Sequence, residues 1–438
     1  MRLLGGVLAL GLLAGCTTAT AEPPSTPSTA VSAAPAASTP ATPAATPTPT
    51  PGIDADAVSA RLAKVNRDGI ARSGVVVLTD TGETVTGRDA DTPLAPASTM
   101  KLLTGITALD LLGADHTFTT KVVSPERGRL VLVGGGDPLL TDKASKSAAK
   151  AASLETLAAA TADALAAAGV KKVRLDYDAA LFHGPDYSPR WDRKWRSYLA
   201  RVSPLLVDEG RFNPWQSDPE PALTAANAFA KRLRDAGLRV TRVAAASAPS
   251  DAEPVAAVQS APLSAILART LRLSDNLAAE VIARHVAIAA DREPTFDGAT
   301  AAVQAWLEGH GLWDDGMRLV DGSGLAKRGR VTPSVLARVV ATSLNTPELG
   351  ALADGLPVAG RSGTLKTRFN DPVERIGRGN VHAKTGTLQG VGALAGYLTT
   401  KDGQRLVFAE IGNGVVGQTT GQNWLDRTAA ALARCGCS

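Results

Sequence analysis

The sequence predicts an α/β (α+β) chain: an antiparallel sheet flanked by helices, a helical subdomain beside it, and an α/β domain inserted between the two parts of the first. Three observations predict it. Strand-like runs meet at tight turns near both ends of the chain, Gly74–Thr79 and Glu83–Gly87 around Asp80-Thr81-Gly82, and Gly392–Thr400 and Arg405–Ile411 around Asp402-Gly403, which is the pattern of β-hairpins. Helical runs lie outside them, Ala55–Val65 before the first and Asn423–Arg434 after the second. Two short polar strings, at Ser98 and Ser274, are 176 residues apart, and the stretch between them has strands and a helix of its own.

The N-terminus reads first as an address. Arg2 precedes an apolar run, Leu3 to Leu13, and then Ala14-Gly15-Cys16. The run is far shorter than the roughly 20 residues of a membrane span, so residues 1–15 read as a signal peptide. Leu13-Ala14-Gly15-Cys16 resembles the bacterial lipobox, which implies lipidation of Cys16, a membrane partner through the lipid, and an exported protein on the extracytoplasmic face of the cell membrane or in the cell wall. The alternative is a cysteine near an ordinary signal cleavage site.

Residues 16–52 follow as a tether. From 17 to 52 there are nine prolines, one charged residue (Glu22) and no aromatic residue, a composition that cannot build a core. Extended at ~3.1 Å per residue, it spans on the order of 110 Å.

Beyond the tether, residues 53–117 read as the first part of the main domain and 251–438 as the second, with 118–250 inserted. The insertion is marked by strands at Arg129–Val133 and Lys172–Asp176, a helix at Leu154–Ala168, and three tryptophans, Trp191, Trp195 and Trp215, which read as packing residues. With 438 residues and 44% hydrophobic side chains there is ample material for more than one core. A net charge of +4 without a basic-aromatic patch gives no reason to expect nucleic acid. Cys435 and Cys437 are the other two cysteines, an even pair if Cys16 is lipidated.

The chemistry sits in three strings in fixed order: Ser98-Thr99-Met100-Lys101, Ser274-Asp275-Asn276 and Lys384-Thr385-Gly386. A serine hydroxyl is a weak nucleophile until a base takes its proton. If a helix starts near Ser98, after Pro96, then Lys101 shares its face at i+3. A lysine accepts a proton only when its pKa falls, through burial or a second cation, and Lys384 is the expected second cation. Ser274 and Asn276 are expected to relay the proton and hold a substrate amide. A strand edge through Lys384, Thr385, Gly386 and Thr387 suits an extended peptide, with glycine leaving room for it.

Together the strings resemble the set shared by class A β-lactamases and penicillin-binding proteins. The surrounding text, Pro93 to Gly105, Gly134-Gly135-Gly136-Asp137-Pro138, Asp321-Gly322-Ser323-Gly324-Leu325, Gly363-Thr364-Leu365 and Ala383 to Tyr397, resembles the low-molecular-mass class C penicillin-binding proteins. These are D-alanyl-D-alanine carboxypeptidases and endopeptidases of the penicillin-binding protein 4 type. The resemblance runs from about residue 55 to about residue 415. It implies the penicillin-recognising fold, peptidoglycan stem peptides as substrate, β-lactams as inhibitors and no cofactor. It further implies Ser98 as the acylated nucleophile, Lys101 as its base, and Ser274, Asn276 and Lys384 in the proton network. Thr385, Gly386 and Thr387 line the substrate, and the N–H groups of Ser98 and Thr387 form an oxyanion hole. Where the family has Ser-Arg after Asp-Gly-Ser-Gly-Leu, this chain has Ala326-Lys327. Lys327 keeps the charge but not the planar fork of an arginine that holds the substrate side chain.

Competing patterns are weaker. Ser147-Ala148-Ala149-Lys150 repeats S-x-x-K but reads as a solvated helix face. Ser343-Leu344-Asn345 reads as a helix end. Gly134 to Asp137 lacks the G-K-[ST] of a phosphate loop, and the five histidines show no paired metal spacing. Two other functions stay open. A class A lactamase needs a glutamate in an E-x-x-L-N string, and none lies between Asn276 and Lys384. A non-catalytic wall-binding lipoprotein has no need of all three strings.

Overall fold

The structure is a computed structural model, and it describes residues 52–144, 152–194, 199–213 and 215–437. The signal peptide, Cys16, the tether up to residue 51, the S-x-x-K string at Ser147 and Trp195 lie outside the described residues.

The chain begins with α1 (Ala55–Ala63), whose N-cap Asp54 accepts from the Ala57 amide. It continues into β1 (Ile70–Thr79) and β2 (Thr84–Arg88), the first expected hairpin. A single 3-10 turn, Ala97–Thr99, then runs straight into α2 (Met100–Leu112). Every residue of α2 from Met100 to Leu109 is buried. A helix apolar all round belongs inside a core, and Leu102, Leu103 and Ile106 are fully buried there, each contributing about 1.5–3 kcal/mol.

The second sheet follows. It consists of β3 (Thr119–Glu126), β4 (Arg129–Val133), α3 (Leu154–Ala167), β5 (Lys172–Asp178), the small β6 (Arg211–Asn213) and β7 (Gln216–Ser217) pair, α4 (Pro221–Asp235), β8 (Arg239–Ala245) and β9 (Pro254–Gln259). The five-stranded order is β8-β5-β4-β3-β9. β4, β5 and β8 run parallel, which requires long crossovers, and α3 and α4 are those crossovers. The sheet ends at Gln259, past residue 250, because β9 returns beside β3 rather than extending the β8 edge. Trp191 is buried but Trp215 is 88% exposed, so packing does not account for that tryptophan.

A helical block comes next: α5 (Leu263–Leu273), α6 (Asn276–Ala289), α7 (Phe296–Gly309), α8 (Pro333–Asn345) and the short α9 (Ala351–Asp354). The chain then lays down β10 (His382–Leu388), β11 (Val391–Thr399) and β12 (Arg405–Val415), and closes with α10 (Gln418–Ala433). α10 starts five residues before the expected Asn423. Its first turn is polar and carries no apolar period, and Gly417 at φ 90° makes the entry.

The first sheet has the order β10-β11-β12-β1-β2, antiparallel throughout. Its two faces carry separate cores. Val76, Ala393, Ala395 and Ala409 pack with α2 and α8, while Val75, Leu394, Leu398 and Phe408 pack with Trp424 and Leu425 of α10. The Asp54 amide donates to the Cys437 carbonyl at 2.6 Å, which brings both ends of the described chain together. Cys435 and Cys437 are paired as a disulfide and buried in the α10-side core. β10, which carries Lys384-Thr385-Gly386, is the edge strand next to the helical block.

Candidate active site

Ser98 lies in the 3-10 turn that launches α2, so Lys101 falls on the same face one turn later. Lys101 Nζ reaches Ser98 Oγ at 3.1 Å, Asn276 Oδ1 at 2.7 Å and the Ser323 carbonyl at 2.8 Å. On the far side, Lys384 Nζ donates to Ser274 Oγ at 3.0 Å and to the Thr385 carbonyl at 2.7 Å. Thr385 Oγ1 in turn lies 2.7 Å from Thr364 Oγ1. All five residues expected to be catalytic, Ser98, Lys101, Ser274, Asn276 and Lys384, therefore converge on one place from three separate segments.

Backbone strain marks both serines. Ala97, just before Ser98, has φ 47°, and Ser274 itself has φ 56°, a left-handed region that costs of order 1–3 kcal/mol for a residue with a side chain. Ser274 closes α5 rather than opening α6. Asp275 is the N-cap of α6, accepting from the Ala278 amide, so the string Ser-Asp-Asn spans a helix-to-helix joint. That joint is what turns Ser274 toward Lys384 and Asn276 toward Lys101.

Gly386 has a further reason beside the one its sequence suggested. A Cβ there would stand 2.6 Å from the Pro96 carbonyl oxygen. The missing side chain lets β10 lie directly on the nucleophile turn, so the close approach is made by the protein's own backbone. Gly324, at φ 79°, does the same from the opposite loop, where a Cβ would stand 1.8 Å from the Ala97 carbonyl oxygen.

Both lysines are almost fully buried, and burial is the first cause of their lowered pKa values. Lys101 falls to about 8, with the carboxylates of Glu280, Asp321 and Asp275 opposing the fall. Lys384 falls well below the ordinary lysine range through burial and then through the charge of Lys101. Burial is thus the main cause for both lysines, and the repulsion between the two ammonium charges adds to it. An amine that loses its proton near neutrality can act as a base.

Sequence reasoning missed the two acids beneath Lys101. Glu280 accepts from the amides of Gly322 and Ser323 at 3.1 and 2.8 Å. Asp321 accepts from Gly324 and Ala326 at 2.8 and 2.7 Å, and from the Trp191 indole at 2.6 Å. Both carboxyls are buried and pushed up by burial, Glu280 to about 7. A signal for Glu280 was available: it is a single acid in the apolar run Leu277 to Ala283.

A cleft of about 790 Å³ opens beside the serine, lined by Ser98, Asn276, Leu325, Thr387, Leu388 and Gln389 among others. Thr387 is exposed at its rim. Lys327 stands two residues beyond Leu325, half-buried, and its carbonyl accepts from Arg330. His382 packs on Tyr397, with Nδ1 at 3.1 Å from the phenol oxygen.

Comparison with known proteins places the chain in a family. The family model for D-Ala-D-Ala carboxypeptidase 3 (S13) matches residues 55–220 and 215–435. The chain is 37% identical to carboxypeptidase DacB of Mycolicibacterium smegmatis over 410 residues, covering 90% of this chain and 86% of that one. It is 30% identical to a D-alanyl-D-alanine carboxypeptidase of an Actinomadura species, covering 82% and 83%. Among solved structures, penicillin binding protein 4 of Haemophilus influenzae superposes with a TM-score of 0.72 at 22% identity, covering 86% of this chain and 98% of that one, which shows the fold. A nucleophile turn, a helix joint and an edge strand held together by two buried lysines, within a chain matched along nearly its whole described length, make this protein a member of the D-Ala-D-Ala carboxypeptidase 3 (S13) family.

Proposed function

We propose that this protein is a serine carboxypeptidase, and endopeptidase, of peptidoglycan stem peptides ending in or linked through D-Ala-D-Ala, and that β-lactams acylate the same serine. The observation that carries the reading is the position of Lys101, buried, with a pKa near 8, and 3.1 Å from Ser98 Oγ. Ser98 Oγ attacks the carbonyl carbon between the two D-alanines while Lys101 takes its proton. The tetrahedral oxyanion is held by the N–H groups of Ser98 and Thr387, preorganised donors of the kind that contribute most to acyl transfer. The C–N bond then breaks, the proton that Lys101 took from Ser98 passes through the Ser274–Lys384 pair to the leaving amine so that Lys101 is neutral again, and Thr385 with Thr387 holds the terminal carboxylate. Water attacks the Ser98 ester with Lys101 again as base, and Lys101 gives that proton to Ser98 Oγ as the ester C–O bond breaks, which releases the shortened peptide. Gly386 contributes by letting β10 sit at this distance, and Lys327 is the charge nearest in sequence for a substrate side chain.

The lactamase alternative is disfavoured by the site itself. Glu280, the carboxylate whose charge acts most strongly on Lys101, spends both oxygens on backbone amides and so is not a free base for water. A penicillin keeps its leaving group tethered and should remain on Ser98 for minutes or longer. The membrane and wall location rests on Leu13 to Cys16 alone, and Cys16 as a lipid attachment site is part of this proposal.

The test follows both substrates on one preparation. Mass measurement should place a penicilloyl group on Ser98, absent in Ser98→Ala, alongside repeated release of D-alanine from a D-Ala-D-Ala peptide. Rapid penicillin turnover without D-alanine release would replace this reading by the lactamase.

A further inference from the structure

A neutral lysine amine has two N–H bonds and one lone pair. At Lys101 three groups surround the nitrogen. Asn276 Oδ1 and the Ser323 carbonyl are acceptors and take the two N–H bonds. The lone pair is then left facing the Ser98 hydroxyl, which is the alignment a base needs. The Ser323 carbonyl therefore has the role of the third group that orients the base of a nucleophile–base pair.

That carbonyl belongs to neither a helix nor a strand, so no ladder fixes it. Five hydrogen bonds around it fix it instead. Glu280 clamps the amides of Gly322 and Ser323, and Asp321 clamps those of Gly324 and Ala326. From the other side Thr104 Oγ1 donates to the Gly322 carbonyl at 2.7 Å. Glu280 rides on α6 and is rigid. Asp321 lies in the loop itself, and among the described residues its one side-chain donor is Trp191, at 2.6 Å. Trp191 comes from the chain between β5 and β6, which belongs to the insertion. It is 5% exposed and edge-on to Phe296 of α7, with ring centroids 5.1 Å apart.

We propose that Trp191 is a positioning residue for acyl transfer: its indole N–H fixes Asp321, and Asp321 with Glu280 fixes the Ser323 carbonyl that aims Lys101 at Ser98. The inserted chain is thereby part of the catalytic apparatus, acting through the loop rather than on the substrate. Misplacement of a catalytic group by about 1 Å can cost on the order of 100-fold, and loss of one of several clamps is a fraction of that.

The inference rests on the proposed role of Lys101 and is tested in Trp191→Phe, which keeps a ring and removes the N–H. The expected result is a five- to twentyfold fall in both the penicillin acylation rate and kcat for D-alanine release, with KM within twofold of wild type. Phe296→Leu is the companion, since it loosens the packing of Trp191 and leaves its hydrogen bond. It should lower the melting temperature with rates within twofold of wild type. Rates of Trp191→Phe within twofold of wild type would overturn the proposal, and so would an equal slowing in Phe296→Leu, which would assign the effect to packing. Trp215→Phe, at an exposed site, controls for loss of an indole. Wild-type enzyme that acylates at another serine would instead refute the role of Lys101, a separable outcome.

Discussion

Lys384 Nζ stands 3.0 Å from Ser274 Oγ, although 110 residues separate them, and both ends of that contact are set by backbone: Ser274 by its left-handed φ of 56° and Lys384 by its place on the edge strand β10. The contact leaves Ser274 Oγ with a donor from Lys384 and its own proton free to move. Ser274→Ala should therefore lower kcat for D-alanine release by about 100-fold or more, the range of a lost proton-transfer group. KM should change far less. The check is steady-state kinetics on a D-Ala-D-Ala peptide, and a loss confined to KM would reassign Ser274 to substrate binding.

The pH dependence of acylation follows from Lys101. Its pKa is lowered to about 8, and only the neutral amine accepts the Ser98 proton. The penicillin acylation rate should climb through pH 7 and level off above about 8.5. An unburied lysine would still be climbing at pH 10. Rates measured at saturating inhibitor across this range decide between them.

Gly386→Ala should be severe for a residue that carries no chemistry. The new Cβ meets the Pro96 carbonyl oxygen, a backbone atom that cannot swing aside. β10 must move off the nucleophile turn, at a cost of about 1–3 kcal/mol in overpacking and with a fall in kcat of at least 100-fold. Melting temperature and acylation rate report the two parts separately.

Glu410 tests the buried face of the same sheet. It is fully buried on β12, and neither carboxyl oxygen has a hydrogen-bond partner among the described residues. Burial pushes its pKa well above the ordinary glutamate value. The folded state holds the proton that the unfolded state loses, so this contribution is complete below the unfolded pKa and is lost as pH rises toward the folded one. Relative to wild type, Glu410→Gln should gain stability with rising pH, by up to about 1.4 kcal/mol per unit above the unfolded pKa. Denaturant titrations from pH 5 to 8 measure the gap, and a gap constant with pH would show that Glu410 is ionised in the fold.

The lipid reading of Cys16 is tested in cells. Cys16→Ser should move the protein from the membrane fraction to the soluble extracytoplasmic fraction. Retention on the membrane would make Leu3 to Leu13 an uncleaved anchor.

Much of the site was legible because its residues carry their chemistry in adjacent positions: Ser98 with Lys101 one turn on, Ser274 with Asn276 across a joint, Lys384 with Thr385 on a strand. The hairpins were legible from Asp80-Thr81-Gly82 and Asp402-Gly403. Asp321 was not, and Glu280 showed only as a lone acid in an apolar run, because their partners are backbone amides, and no side-chain pattern announces which amides a loop will turn inward. Trp191 was read as packing, and its packing is real. Its hydrogen bond needs the fold to bring it to Asp321, 130 residues away. The true start of α10 was hidden for a simpler reason: its first turn is polar and exposed, so propensity and period are silent there.

The pairing of β1 with β12 constrains the order in which this protein can become active. β12 lies in the middle of its sheet, between β11 and β1, and ends at Val415. A chain made or threaded from its N-terminus therefore has Ser98 and Lys101 long before it has the strand that joins β1 to β10. Until that strand arrives, β10 has no connection to the first hairpin, and Lys384 has no fixed distance from Ser274. The second sheet, by contrast, is complete at Gln259. Folding during emergence should yield an ordered insertion while the hydrolytic centre stays unassembled, so that the enzyme acquires its reactive serine only as the last elements of the chain appear.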